Sequence, residues 1–420
     1  MIGEIIAIGD ELTTGRIVNT TSGLAARHLF LLGHSIRAMH TIGDDQELIG
    51  ATLKAAIGRS DFVLATGGLG ATSDDLTNEA VIKALGLNGA VHLGVKANIE
   101  SRLGKGDQVA ASLAKLAQLP EGVEVLDPEC RMAGYLLWYA GKPLYFLPGV
   151  PPQMEILLRD KVLPGLQAFD AGRARPVCQR VYRTCGLYEI EINRRLQPLE
   201  QEGMEIGYYP VGAEVHVSLT GRNLAAGVDD LGFQRADAFI RDALGDNLYG
   251  CDQDTLSLVT GRLLAQQGLM LGVAESCTGG LIAASLTEIP GSSHWFKGGA
   301  VVYANELKER LLGIEPALLA QHGAVSSATA QAMASGAVQH LGCDIAVAAT
   351  GIAGPDGGSA DKPVGTVFLG LAFRGAVSDR LCRFHGSRRQ IQEKTAQTAI
   401  DMVRRALLDH LSFSSARSRS

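Results

Sequence analysis

Several features that would assign this 420-residue chain to a function class are missing. Its seven cysteines include no Cys-x-x-Cys pair, and its ten histidines show no His-Glu-x-x-His or similar spacing. An odd, scattered cysteine count argues against a disulfide frame or a zinc site and suits reduced thiols. No apolar run approaches the length of a membrane span, and the first residues, Met1-Ile2-Gly3-Glu4, carry no basic segment of a secretory signal. The expectation is a cytoplasmic protein with no membrane partner. There is no excess of positive charge: the net charge is −6 and the pI about 6.0, which speaks against a general nucleic-acid binder. Basic residues gather only at Arg173-Ala174-Arg175 and in the Ser/Arg-rich stretch 412–420, which reads as a disordered tail. No sequence period repeats along the chain.

What is abundant is glycine, at 51 residues, set after short apolar runs. Glu4 to Ile8 reads as a strand running into Gly9-Asp10-Glu11-Leu12-Thr13-Thr14-Gly15. Asp61 to Ala65 is a second strand, leading into Thr66-Gly67-Gly68-Leu69-Gly70-Ala71-Thr72-Ser73-Asp74-Asp75-Leu76-Thr77. A third, Leu144 to Leu147, precedes Pro148-Gly149-Val150-Pro151. Helical stretches at Thr21–Leu32 and Asp45–Ile57 alternate with them, the signature of a parallel, doubly wound sheet. Glycine turns at strand ends suit an anionic ligand, although tight turns need glycine in any case. Asp74 or Asp75 reads equally well as a cap for a helix starting near Leu76.

Residues 170–250 have another texture. Strand-like runs at Pro176–Thr184, Glu205–Tyr209 and Glu214–Leu219 mix with helical runs at Tyr188–Leu196 and Leu231–Leu244, a small α+β module. It has no Gly-x-x-Gly loop in a basic setting, so RNA binding is not inferred. The C-terminal third returns to strands ending in turns. Leu269–Ala274 is followed by Glu275-Ser276-Cys277-Thr278-Gly279-Gly280 and a helix from Leu281. Gly299–Tyr303 precedes a helix whose apolar face is Leu307, Leu311 and Leu312. Asp344–Ala349 runs into Thr350-Gly351, Val367–Phe373 is a fourth strand, and Gly386-Ser387-Arg388 opens a helix to about Leu408. Ser, Tyr, Lys, Thr and Arg thus gather at one sheet edge, where open α/β sheets bind ligands. Ser276 alone reads as a helix cap, Lys308 as a solvated residue between charges, Tyr303 as a packed strand residue and Arg388 as a surface charge beside Arg389. Cys277 is the local rival nucleophile, since a thiolate at a helix start has a lowered pKa; no histidine motif accompanies it, and a buried small residue is the preferred reading.

Taken together, AESCTGG (274–280), VVYANELKERLLG (301–313), ATGIAGPDGG (349–358), KPVGTV (362–367) and GSR (386–388) resemble the C-terminal domain of the CinA family. GDELTTGRIVNT (9–20), TGGLGATSDDLT (66–77) and LPGVPPQM (147–154) resemble the molybdopterin-binding-like domain that begins such proteins. The resemblance implies an α/β fold class with a doubly wound N-terminal domain over 1–168, a KH-type module over 169–252 and an α/β amidohydrolase domain over 253–411. It implies an enzyme of pyridine-nucleotide salvage that converts nicotinamide mononucleotide (NMN) to nicotinic acid mononucleotide and ammonia, without a cofactor at that site. By motif position, Ser276 is the nucleophile, Lys308 the base and Tyr303 a supporting hydroxyl. Cys277, Thr278, Gly279, Gly280, Thr350, Gly351 and Arg388 hold the substrate, with Arg388 and Arg389 both candidates for the last position. The N-terminal site comprises Asp10, Gly67, Gly68, Gly70, Ser73 and Thr77, with Asp74 and Asp75 as carboxylates for a divalent cation, the pattern of an ADP-ribose pyrophosphatase. The chain departs from the family at Leu113, at Leu116 and in Cys130-Arg131-Met132-Ala133, which points to weak or lost hydrolysis there. A homodimer is implied. The alternative is a nucleotide- or pterin-binding regulator linked to competence or DNA damage.

Overall fold

Alternation along three strands builds the first sheet. In Ile2–Ile8, Phe62–Thr66 and Lys142–Leu147, successive side chains enter opposite cores. Ile6, Val63, Ala65, Leu144 and Phe146 pack with helices Gln46–Arg59 and Thr77–Leu85 on one face. Ile5, Phe62, Leu64, Tyr145 and Leu147 pack with helices Thr21–Leu31 and Pro151–Leu157 on the other. A sheet covered on both faces needs strands that are apolar nearly throughout, and these are, with the buried Glu4 paired to Arg59. The strand order is Ser35–Ile42, Ile2–Ile8, Phe62–Thr66, Lys142–Leu147, Tyr135–Tyr139, Glu124–Val125. The first four run parallel, as expected; the last two are antiparallel, because the connection from Tyr139 to Lys142 is too short for a crossover.

The computed structural model describes residues 1–103, 114–129, 131–171, 177–201, 204–222, 224 and 227–417. Arg173–Arg175, Leu113 and Cys130 therefore lie outside the described residues. The chain divides into two compact units: Met1–Cys178 with Gly221–Asp230, and Gln179–Thr220 with Leu231–Ser420. The middle module, set apart in the sequence, belongs to the same unit as the C-terminal domain. Its sheet has the order Glu205–Val211, Glu214–Gly221, Cys178–Cys185, Leu248–Cys251, and helices Glu189–Gln201 and Leu231–Leu244 flank it in sequence. Cys185 and Tyr249 of this module enter the same apolar core as Leu256, Leu264 and Val273.

The C-terminal sheet has the order Phe296–Val301, Leu271–Glu275, Ile345–Gly351, Thr366–Phe373, Ala376–Arg383. Its first three strands are parallel and the last two antiparallel. Val273, Ile345, Val347 and Leu369 face helices Leu256–Gln267, Leu281–Thr287 and Arg388–Arg417; Ala274, Ala346 and Ala348 face helices Asn305–Leu312 and Ser327–Leu341. The small residues on the second face let the helix Ser327–Leu341 approach the sheet closely. Two expectations shift. The edge strand ends at Val301, so Tyr303 follows it and does not pack within it. The last helix runs on to Arg417, so residues 412–417, read as disordered tail, belong to it; 418–420 lie outside the described residues. The six described cysteines, Cys178, Cys185, Cys251, Cys277, Cys343 and Cys382, are free thiols.

That helix carries a buried charge cluster that ties it to the middle module. Arg404 donates from Nε and NH2 to Asp401 Oδ1 at 2.8 and 2.6 Å, and from NH2 to the carbonyl of Asp246 at 2.6 Å. Arg405 Nε completes the carboxylate at 2.7 Å. Removing one partner of a buried pair leaves the other charge without compensation. Asp401→Ala is expected to destabilise this unit by ~3–5 kcal/mol. Urea unfolding followed by Trp295 fluorescence in a Trp138→Phe background checks it.

Candidate active site

The turn after strand Leu271–Glu275 is shaped by a residue that the motif reading passed over. Glu275 is fully buried, and its carboxylate accepts the N–H groups of Gly280 and Ile282 at 3.0 Å and Ala283 at 2.8 Å. These are orphan donors of the helix Leu281–Thr287, so the carboxylate caps it and meets its positive end. Gly280 allows this with φ +102, a left-handed backbone that a side chain disfavours. Ser276 is half-buried; its N–H donates to Ala349 and its carbonyl accepts the N–H of Gly279. Of the N–H donors of the expected substrate-holding turn, those of Gly279 and Gly280 are thus occupied. The N–H groups of Cys277 and Thr278 have no protein acceptor among the described residues. The Thr278 hydroxyl is buried and has no hydrogen-bond partner among the described residues. Burial pushes the Cys277 thiol up to about 12, the opposite of the shift an exposed helix-start thiolate shows, so it is protonated at neutral pH.

Lys308 is 1 % exposed. Its Nζ donates to the carbonyls of Val302 at 2.9 Å and Tyr303 at 3.1 Å, and burial holds its pKa below the ordinary 10.5. Val302 in turn donates its N–H to the carbonyl of Glu275, the residue before Ser276. The lysine is therefore anchored one strand over from the serine turn. This corrects the expected helix face: Lys308 and Leu312 point inward, four residues apart, while Leu311 is 42 % exposed. Helical periodicity allowed either arrangement, and a lysine is rarely buried unless held as this one is.

Tyr303 is 59 % exposed, and its hydroxyl accepts from Arg388 NH2 at 2.9 Å. Arg388 NH1 donates to the carbonyl of Gly354 at 2.7 Å, whereas Arg389 turns to Glu393 on its own helix. Of the two arginines, Arg388 is the one directed to the motif residues. Ser387 and Gln390 cap this helix reciprocally. The Thr350 hydroxyl is committed to the carbonyl of Ala324 at 2.6 Å, which makes it a support for the adjoining loop. Gly351 closes its strand. Gln392, one turn beyond Arg388, donates to the carbonyl of Cys277 at 2.9 Å and steadies the turn from the opposite side. Its signal in the sequence was only its spacing from Arg388; that of Glu275 was a charge at the end of an apolar strand.

The N-terminal residues gather at the ends of the parallel strands. A cavity of about 530 Å³ is lined there by Gly67, Gly68, Gly70, Asp74 and Asp75, with Glu11 and Asp44. Gly67, at φ +99, has no room for a side chain, since a Cβ would stand 2.1 Å from the carbonyl of Ile8. Thr77 is buried beneath the turn and donates to the carbonyl of Gly67 at 2.9 Å, so it braces the turn and does not line the cavity. Asp10 and Ser73 lie outside the lining; the carboxylates of Asp10 and Asp44 each accept the main-chain N–H of the other. Burial and the charges of Asp10, Glu11 and Asp74 push the Asp44 carboxyl up. Asp75 accepts from the N–H and hydroxyl of Thr72, so it caps this loop rather than the helix from Thr77. Among the described residues no three His, Cys, Asp or Glu side chains converge on a metal position. The described carboxylates do not form a preformed cation cage. In the departing segment, Asp127 accepts the N–H groups of Glu129, Arg131 and Met132, and Glu129 pairs with Arg131 at 3.1 Å.

Comparison with known proteins covers all three regions. The description "Probable molybdopterin binding domain" matches residues 4–168, "Damage-inducible protein CinA KH domain" 179–250, and "CinA C-terminal domain" 253–407. A CinA-like protein of Desulfotalea psychrophila is 47% identical over 410 residues, across 97% of this chain and 99% of its own. A putative competence-damage inducible protein of Caldicellulosiruptor bescii is 38% identical over 414 residues, across 98% and 100%. A solved competence-damaged protein (CinA) superfamily member from Klebsiella pneumoniae is 34% identical, with a TM-score of 0.36, and covers 37% of this chain and 96% of its own. With relatives this similar along nearly their whole length, the chain belongs to the CinA family.

Proposed function

We propose that the C-terminal site is a Ser–Lys amidohydrolase acting on the carboxamide of nicotinamide mononucleotide, yielding nicotinic acid mononucleotide and ammonia. The observation that carries this reading is the burial of Lys308 on two carbonyl acceptors beside the serine turn. A neutral amine has two N–H groups and one lone pair, and two carbonyls, those of Val302 and Tyr303, accept from it. An amine so held keeps its lone pair for a proton, and burial favours that neutral form. Ser276 Oγ gives its proton to Nζ and attacks the carboxamide carbon. The N–H groups of Cys277 and Thr278 receive the oxyanion. Lys308 returns the proton to the leaving nitrogen, and ammonia departs from a Ser276 ester. Water then attacks the ester, Lys308 takes its proton and passes it back to Ser276, and the acid is released. Arg388, with Tyr303, meets the substrate phosphate. The N-terminal cavity, on this reading, binds a phosphate ligand through free N–H groups of the Gly68–Gly70 turn, with weak or no hydrolysis of ADP-ribose, since Leu116 lines it where a polar contact would serve catalysis.

Two measurements test the amidase reading. Ser276→Ala abolishes ammonia release from NMN, while Cys277→Ala retains most of it; full activity in the serine variant sinks the mechanism. Lys308→Met keeps an apolar chain of similar length in the buried position, so melting shifts by about 2 kcal/mol or less while kcat falls on the order of 10³-fold. The pH profile carries a sign. A folded-state pKa below 10.5 means that the neutral amine gains as pH rises, so kcat/KM climbs on a limb that lies below the ordinary lysine value. The stability term has the same sign: it is full above the unfolded value and lost as pH falls through the folded one. A limb at the ordinary lysine position, or one unchanged in Lys308→Met, assigns the proton transfer to another group.

A further inference from the structure

A second cavity, of about 210 Å³, adjoins the N-terminal one. Leu69, Leu116 and Ala133 line both, so the two are compartments of one site with a neck at these residues. Their chemistry differs. The larger compartment is ringed by glycine N–H groups and carboxylates. The smaller is walled by Leu119, Val125 and Ile99, with Tyr135 fixed by stacking on Phe146 at 4.7 Å between centroids. Its deeply buried polar side chains are Tyr135, 1 % exposed, and Asn78, 7 % exposed, whose Oδ1 accepts from the Tyr135 hydroxyl at 3.0 Å. That bond fixes the amide, and its Nδ2 has no protein acceptor among the described residues. Asn98 and Arg131 stand at the rim, each engaged with Glu129.

We propose that the small compartment takes a weakly polar aromatic ring carried on a phosphate ester whose phosphate sits on the glycine turn. The proposal rests on the reading of the larger compartment as a phosphate site. A chamber near 150 Å³ already admits a benzene ring when its walls are apolar, so this one has room for one or two fused rings. The walls exclude a purine or pterin as the preferred occupant. Such rings bring several donors and acceptors on their edges, and the chamber answers with a single buried donor; unpaired polar atoms taken from water are costly. A ring with one acceptor at its edge, facing Asn78 Nδ2, meets both conditions. Leu116 at the neck and Met132 at the wall make this selection.

Calorimetric titration of the full chain with 1-naphthyl phosphate, methyl phosphate and AMP, all in one magnesium-containing buffer, tests the proposal. The expected result is binding of 1-naphthyl phosphate at least about tenfold tighter than either of the others. Val95→Phe and Ile99→Phe, both from the half-buried helix side of the chamber, are each expected to remove that preference and leave methyl phosphate binding unchanged. Equal affinity for the naphthyl and methyl esters overturns the ring compartment and leaves the phosphate site standing. Tighter binding of AMP makes the chamber a nucleobase site and overturns the selection argued here. A preference that survives in both variants places the ring elsewhere. No binding of any ester removes the phosphate anchor, and the proposal with it.

Discussion

A carboxylate without water contact, that of Glu275, accepts three main-chain N–H groups at the start of one short helix. The helix Leu281–Thr287 is only two turns long and has no side-chain cap from its own N-cap residue. Its first donors need a partner, and a buried acceptor on the preceding strand supplies one. The consequence is geometric. With Gly280, Ile282 and Ala283 drawn onto Glu275, the chain between Ser276 and Gly280 has little freedom, and the donors left over are those of Cys277 and Thr278. The same bonds keep the helix terminus from acting as an open anion site. Charge on this side of the cleft must then come from Arg388 and, when protonated, Lys308.

The C-terminal sheet makes the rest of the arrangement possible. Parallel strands bring the ends of Leu271–Glu275, Phe296–Val301 and Ile345–Gly351 to one edge, and each is followed by a turn that carries a polar side chain. Lys308 reaches that edge because its helix lays residues 308 and 312 against the sheet, where small strand residues leave room for a long side chain. Burying an ammonium is unfavourable, and the two carbonyl acceptors offset part of that cost while burial lowers the pKa. The N-terminal sheet repeats the edge principle with different chemistry: glycine N–H groups and carboxylates gather there, and Asp10, Asp44 and Asp75 accept local main-chain N–H groups.

Much of the architecture could be read from the chain. Helix Leu231–Leu244 and helix Asn305–Leu312 fall at their expected bounds, and most strands within two residues, because apolar runs closed by glycine leave few alternatives. The edge strand was misplaced since Val302 and Tyr303 extend its apolar run past Val301, the last paired residue. The motif residues were legible for a similar reason: a serine before two glycines at a strand end has a local meaning. Thr77 and Thr350 were legible as motif members but not as braces, because their acceptors lie 10 and 26 residues away.

The sequence alone determined the α/β class, the order of the three regions, the glycine turns and the identity of the polar residues at each strand end. These follow from local steric rules and from short-range periodicity. Tertiary structure decided that Lys308 is buried and Leu311 is not, and that Arg388 rather than Arg389 meets Tyr303, 85 residues away. It also decided that Gln392 holds the carbonyl of Cys277 across 115 residues, and that the middle module packs into the C-terminal core. Each of these depends on desolvation and on partners brought from distant segments, and neither is a property of a residue and its neighbours in the chain.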